Sequence, residues 1–426
     1  MYEMLEIRFV DINGRLKAMN LPLDSPVEDI EAAKHDSVFT GGVNIDGSSV
    51  PGFTSLENSD LHLKPIRETL IDLPYTTDPK LGVMCQITQA GEVFAGDTRS
   101  QLVHVIDKYL GSKGWTLKIG PEPEFYLLKD RQPVDNGKYA DVFPDSSSAG
   151  MIKRFSRHMS KTGLLPRVHH HEVGPGQYEV EIGFMEAVRT ADAIVTYKAM
   201  IRALAQKNGH VATFMPKPFF GKAGNGMHFH TSLWEGATNL FSTEKPNEIS
   251  KVGLHFMAGI MEHATALTAI VAPTVNSYKR LVPGYESPVY IAWAPFNRSA
   301  LIRVPMFINP ETARFEYRCP DPSTNPYLAF IVLIAAGIDG IERELELPPP
   351  VRRNIYKLSP REREELSIQT LPGNLFEALG YLKQDSHLKA ALGTHIFTSF
   401  VETKEREWGQ YSTQVTDWDW TNYLNV

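Results

Sequence analysis

Four separated segments carry chemically capable side chains in a pattern that puts them on one face of a β-strand, with apolar neighbours on the other. In GPEPEFYLL, Glu122 and Glu124 share a face ahead of an apolar run. In GNGMHFHTSLW, His228 and His230 share one against Met227 and Phe229, and in RFEYR, Arg314, Glu316 and Arg318 share one against Phe315 and Tyr317. The last, HHHEVGPGQYEVEI, sets Glu172 and Glu179 on either side of a Gly174-Pro175-Gly176 turn that can fold the two carboxylates toward each other. Glutamates on strands patterned for a core repel one another unless metal ions or arginines sit among them. Mostly oxygen donors with one or two imidazoles suit Mg²⁺ or Mn²⁺ better than copper or a structural zinc.

Arginines recur nearby, at Arg280, Arg298, Arg303, Arg314 and Arg318, in segments otherwise full of aromatic and aliphatic residues. A guanidinium grips phosphate or carboxylate bidentately, and it serves equally as an internal partner for the glutamates. Metals beside arginines describe a phosphoryl-transfer site, where catalysis is mostly positioning and charge stabilisation. No P-loop and no dinucleotide-binding glycine fingerprint is present, so nucleotide must be held another way. KPFFGKAGNGMH offers a glycine-rich loop, with Gly221, Gly224 and Gly226, leading into the histidine strand. Serine nucleophiles lack a G-x-S-x-G elbow, and neither cysteine sits in a motif that marks it as reactive.

The elements that must position these residues are readable in outline. Residues 1–95 hold short strand-like runs, such as 5–10 and 83–88, between Asp, Gly and Pro clusters, and predict a small β-rich domain. Residues 96–426 predict a larger α+β domain, with helices at 99–110, 186–208 and 248–271 and strands near 116–128, 166–183 and 211–233. TNPYLAFIVLIAAGIDGIEREL predicts a buried helix over 324–345, opened by a Thr or Asn cap and Pro326, and the tail from 359 to 408 is helical in pattern.

With 42% hydrophobic and 22% charged residues over 426 positions, the chain has the composition of a folded globular protein with a sizeable core. A net charge of -7 provides no basic footprint for nucleic acid or an anionic membrane. Cys85 and Cys319 alone cannot make a disulfide framework, and the start MYEMLEIRFVD is too charged for a signal peptide, so a reducing, cytoplasmic setting is expected. The apolar stretch at 252–273 is interrupted by His255, Glu262 and His263 and that at 327–338 is too short, so no membrane span is expected.

Read together, the segments closely resemble type I glutamine synthetase of the bacterial and archaeal class, alpha-like subgroup. The pieces occur in the family's order: DGSS at 46–49, EPEF at 122–125, HHEVGPGQYE at 170–179, KPFFGKAGNGMHFHTS at 217–232, NSYKRLVPGYE at 276–286, NRS at 297–299 and RFEYRCPDPSTNPYLAF at 314–330. Ala223 departs from the more usual asparagine. The resemblance implies a small β-grasp-like domain followed by a catalytic domain with an antiparallel sheet flanked by helices. It also implies ligation of ammonia to the γ-carboxylate of L-glutamate using ATP, through γ-glutamyl phosphate, with two or three Mg²⁺ or Mn²⁺ ions.

Carried over residue by residue, the resemblance implies one metal held by Glu124, Glu172 and Glu179 and another by Glu122, His228 and Glu316. Arg298 and Arg318 would face phosphate, Arg280 the glutamate carboxylate, and His230, Ser232 and Arg303 the ATP, while the loop at Gly224 shapes the glutamate pocket. Asp46, from a neighbouring subunit, would deprotonate ammonium; Tyr139 would border the ammonium pocket, and Glu286, on a flexible loop, would close the site. The partners implied are L-glutamate, ammonium and ATP, a homo-oligomer built as a dodecamer of two hexameric rings, and a nitrogen-regulatory protein. Alternatives are a γ-glutamylamide synthetase using a polyamine or alkylamine, a non-catalytic nitrogen-sensing relative, and an unrelated binuclear metal hydrolase. The last leaves Asp46 and the NRS segment unexplained.

Overall fold

In YEMLEIRFV, Leu5, Ile7 and Phe9 alternate along one buried face, the pattern of a half-covered strand. The computed structural model describes residues 1–142, 147–285 and 287–426. Its first part is a sheet of β1 (Tyr2–Val10), β2 (Leu16–Val27), β3 (Val43–Asp46), β4 (Asp60–Pro65) and β5 (Lys80–Gln89), in the order β2-β1-β5-β4-β3. β1 and β5 run parallel and the other neighbours antiparallel, which leaves β3 at an edge. Leu5, Ile7, Leu61, Leu63, Val83 and Ile87 fill the core of this β-grasp unit.

Helix α1 (Thr98–Tyr109) begins at Asp97, whose carboxylate caps the amide of Arg99. The larger part follows, as β6 (Trp115–Lys129), β7 (Pro166–His171), β8 (Gln177–Ile182), α2 (Ala187–Lys207), β9 (Val211–Thr213), β10 (Met227–Glu235), α3 (Lys251–Glu262), α4 (Ala264–Val271), β11 (Trp293–Pro295), β12 (Ile302–Val304), β13 (Phe315–Tyr317), α5 (Pro326–Glu342), α6 (Leu375–Gln384), α7 (Ser386–Leu392) and α8 (Thr394–Ser412). The main sheet has the order β7-β8-β6-β10-β13-β12-β11, antiparallel except for the parallel pair β11/β12. α5 is the core helix, with Asn325 capping the amide of Tyr327 and Pro326 in the first turn, as the sequence predicts. Asn325 also donates to the carbonyls of Asp11 and Ile12, tying the amino-terminal sheet to this helix.

Two expectations change, those for the stretch near 211–233 and for the helix over 248–271. The stretch near 211–233 is not continuous strand, because the glycine-rich loop separates β9 from β10. The tail is helical, as its pattern predicts, in several pieces with Asp385 and Gly393 serving as caps between them. The helix predicted over 248–271 breaks at His263, where α3 and α4 diverge by 77°. The break brings the His263 ring between two carboxylates, with Nδ1 2.6 Å from Asp385 and Nε2 3.1 Å from Asp339. Both ring nitrogens then act as donors, which requires the imidazolium.

Burial opposes that charge, but Asp385 and then Asp339 raise the His263 pKa above its ordinary value. A raised histidine contributes stability in full below about pH 6.5 and loses it as pH rises through the folded-state pKa. His263→Gln is expected to cost about 3 kcal/mol at pH 6 and clearly less at pH 9, measured by urea unfolding at both values. An equal cost at both would exclude the imidazolium clamp.

Candidate active site

Strand register builds the site. In the β6/β10 ladder His228 lies opposite Glu122, in β10/β13 His230 lies opposite Glu316, and in β12/β13 Arg303 lies opposite Glu316. On the other side of β6, Glu124 lies opposite Glu179 in β8, and Glu179 lies opposite His170 in β7. Residues that are far apart in the chain thus project from adjacent strands on one face, because the pleat repeats every two residues.

Two halves differ in how their charge is balanced. In the first, the buried Glu316 accepts from Arg318 and Arg303, and His228 Nδ1 lies 3.4 Å from both Glu316 and Glu122. His230 Nε2 contacts Glu122 at 2.6 Å, and Arg314 Nε approaches its Nδ1 at 3.2 Å. Despite burial, Arg318 and then the histidines hold the Glu316 carboxyl down to about 2. Against burial, His230 and His228 likewise keep Glu122 well below the usual carboxylate range. Burial, followed by Arg318, pushes the His228 imidazole down to about 4, so it is neutral at pH 7 and able to act as a ligand.

The second half is more purely anionic. Glu124 accepts from Gln177 Nε2 at 3.1 Å and from the Gly226 amide at 2.9 Å, yet burial, Glu172 and Glu179 drive its pKa well above normal. Glu179 is raised by burial and then by Glu122 and Glu172. His170 stands between them, 3.4 Å from Glu172 and 3.2 Å from Glu179. Ligand-capable atoms cluster within 4.8 Å of one another in Glu122/His228/Glu316, in His170/Glu172/Glu179 and in Glu122/Glu179/Glu181. Carboxylates that raise one another's pKa when no cation is near, with a neutral His228 imidazole in the adjoining half, match hard divalent ions such as Mg²⁺ or Mn²⁺.

A cavity of 460 Å³ opens over this face. Glu122, Glu124, Tyr139, Glu172, Glu179, Gly224, His228, Arg280, Arg298, Arg303, Glu316 and Arg318 all line it. His230 stands behind Glu122, and Ser232 lies farther along β10, where its Oγ accepts from Trp234 at 2.9 Å. Asp46 lies outside the cavity, exposed at the edge strand β3, with Ser48 and Ser49 donating to its carboxylate and lowering its pKa. Glu286 lies outside the described residues.

The glycine loop needs its glycines here. A Cβ on Gly224 would come within 2.6 Å of the Pro216 carbonyl, and one on Gly226 within 2.9 Å of His228 Nε2. Buried Asn225 pins the loop, its amide donating to Pro216 O at 2.8 Å and its side chain to Met215 O at 2.9 Å. Arg280, also buried, donates to the carbonyls of Cys319 and Arg318.

Three site residues escaped the sequence reading. His170 was hidden in a run of three histidines, and Glu181 follows Glu179 at the strand spacing that could have revealed it. Asp135 left no signal beyond a D-N-G turn; it accepts from His171 at 2.8 Å, from the Gly176 amide at 2.8 Å and from Tyr178, and so holds the β7–β8 hairpin that presents Glu172 and Glu179.

The family model "Glutamine synthetase, beta-Grasp domain" matches residues 1–90, and "Glutamine synthetase, catalytic domain" matches residues 95–423. The chain is 44% identical to glutamine synthetase of Methanocaldococcus jannaschii, covering 99% of this chain and 95% of that protein. It is likewise 44% identical to the enzyme of Thermotoga maritima, over 99% and 96%, and 43% identical to that of Pyrococcus abyssi, over 100% and 97%. Among solved structures, "GmaS/ADP complex-Conformation 1" is similar with a TM-score of 0.88 and 30% identity, covering 100% of this chain and 97% of that one.

If like charge destabilises the metal-free site, Glu179→Gln is expected to stabilise metal-free protein by about 1 kcal/mol while weakening Mn²⁺ binding roughly tenfold or more. Thermal unfolding in chelator, paired with calorimetric Mn²⁺ titration, reads both, and a variant less stable without metal would contradict the electrostatic account.

Proposed function

The chain belongs to the glutamine synthetase family, and from that membership and the site we infer its chemistry. It is a glutamate–ammonia ligase that makes glutamine with ATP. The single observation that carries this reading to the site is the convergence of carboxylates, a neutral imidazole and arginines on one cavity of a chain similar to glutamine synthetases over its whole length.

For the residues, Glu122, His228 and Glu316 would hold one divalent ion, and Glu124, Glu172 and Glu179 another, with His170 fixing the last two carboxylates. When bound, such ions neutralise phosphate charge and polarise the transferred phosphoryl group. A carboxylate is a poor acyl donor, so transfer of phosphate to the γ-carboxylate of glutamate turns its oxygen into a leaving group for attack by ammonia. Arg318 and Arg298 would face the charge that develops on the phosphoryl oxygens, and Arg303 the ATP phosphates; Arg318 and Arg303, both held by Glu316, would need little reorganisation. His230 and Ser232 belong to the nucleotide side of the site, and Arg280 with the Gly224 loop shapes the pocket for glutamate. Tyr139, edge-on to His170 with ring centres 5.3 Å apart, borders the space for ammonium. Glu286 would close that space.

Asp46 is assigned as the base that deprotonates ammonium. Its place at an exposed edge, away from its own chain's cavity, supports a homo-oligomer in which a neighbouring subunit supplies it, with a dodecamer of two hexameric rings as the assembly. A division at residues 95/96 is proposed between the two domains, close to the gap at 91–94 between the two family-model matches. Among the described residues no single helix is long and apolar enough to cross a membrane. Both cysteines are free and buried, which supports the cytoplasm as the setting.

With Mg²⁺, ATP and glutamate, purified protein is expected to release phosphate on addition of ammonium and to form equimolar glutamine. Response only to another amine would indicate a γ-glutamylamide synthetase, and none to any amine a sensor. Co-expressed Asp46→Ala and Glu122→Ala chains, each inactive alone, are expected to regain roughly a quarter of native activity, because random mixing restores some shared sites. Failure of mixed assemblies to regain any would rule out a base supplied by the neighbour.

A further inference from the structure

Away from the catalytic cavity, a second one of 710 Å³ lies between α2, the segment from Val211 to Pro216, and α8. Its lining carries Arg15, Lys198, Arg202, Lys404 and Arg406 against a single carboxylate, Glu407. Glu407 is already engaged, accepting from Lys404 at 3.0 Å and from the Val275 amide at 3.1 Å. At the bottom is Lys198, only 7% exposed, whose ammonium donates to the Pro322 carbonyl at 2.8 Å and forms no ion pair among the described residues. Asp321 and Asp11 are near enough to act on it electrostatically but not to bond it. Arg202 lies over the Phe214 ring at 5.1 Å, and Arg15 adds like charge beside it.

A buried ammonium without a carboxylate partner is costly, and further cations around it add to the cost. We propose that this cavity is an anion site distinct from the catalytic one, and that it takes a phosphate group, either free or as a phosphate monoester. Lys198 supplies a point charge at the base, while Arg15, Arg202 and Arg406 supply planar donors at the rim, the combination that grips a multiply charged tetrahedral oxyanion. Phe214, Pro216 and Pro322 offer apolar surface for the organic part of an ester. Burial, followed by Arg202, pushes the Lys198 pKa down to about 7, so a bound dianion would also secure its proton.

Occupation of the site would be felt in the catalytic cavity. The wall from Thr213 to Pro216 provides the carbonyls that hold Asn225, and the next amide, that of Gly226, donates to Glu124. Bracing this wall therefore braces the glycine loop.

Calorimetric titration of the intact protein with inorganic phosphate and with glucose 6-phosphate tests the proposal. Arg298→Ala, an exposed change at the catalytic cavity, separates that site from the new one. Binding is expected to persist in Arg298→Ala and to weaken roughly tenfold or more in Lys198→Met. Arg202→Gln and Arg406→Gln, at exposed positions that leave the core intact, are expected to weaken it in the same direction. Equal affinity for the two probes identifies free phosphate as sufficient, whereas tighter binding of the ester identifies an organic phosphate. The proposal is overturned if neither probe binds, if Arg298→Ala abolishes binding while the three other variants keep it, or if succinate binds in place of both phosphates.

Discussion

A carboxylate taken out of water costs several kcal/mol unless cations or donors replace the water it loses, and the face shared by β6, β8 and β13 carries Glu122, Glu124, Glu179, Glu181 and Glu316 in close array. The rest of the catalytic domain is arranged around that cost. Glu316 is neutralised from within by Arg303 and Arg318, so its half of the site is close to balanced before any ligand arrives. Among the described residues Glu124 and Glu179 form no ion pair with a guanidinium, although Arg280 acts on Glu124 from a distance, and burial with neighbouring glutamates raises both pKa values. A polar array of this kind is tolerable only where cationic ligands complete it, which ties the stability of the face to its use.

Holding like charges at fixed spacing needs rigid backbone, and the antiparallel ladders provide it. The hydrogen-bond register sets His228 against Glu122 and His230 against Glu316, so a slip of one residue would turn every ligand to the wrong face. Beneath the sheet, Phe125, Tyr178, Phe229 and Phe315 are wholly buried and pack toward the helical layer. The less regular walls are fixed by polar pins instead: Asp135 under the hairpin, Asn225 in the glycine loop, and Asn297, whose side chain donates to the carbonyls of Val351 and Arg353 and so anchors the segment bearing Arg298.

Much of this was legible in the sequence because period-two alternation is a local property. Glu122 with Glu124, His228 with His230, and Arg314 with Glu316 and Arg318 declare a strand face without knowledge of partners. Which strands adjoin is a long-range fact, and no local pattern shows that β10 lies between β6 and β13. The apolar run at 248–271 reads as one helix because its composition is helical throughout; the break depends on Asp339 and Asp385, distant residues that draw His263 out of the helix line. Asp135 was silent for a related reason: a turn aspartate ordinarily serves its own turn, and only the fold brings His171 and Tyr178 to it.

Asp46 stands apart from the residues that line the cavity. Its carboxylate is exposed, ordered by Ser48 and Ser49 and held ionised by their hydroxyl groups, while lying apart from the reactive cavity of its own chain. An acyl phosphate must be shielded from water, and a cavity formed by one chain with Arg298 exposed at its wall leaves that shielding incomplete. Packing the edge strand β3 of one subunit against the cavity of the next would deliver the base and exclude solvent in one contact. Under the proposed assembly, the β-grasp domain therefore acts on its neighbour's chemistry rather than on its own.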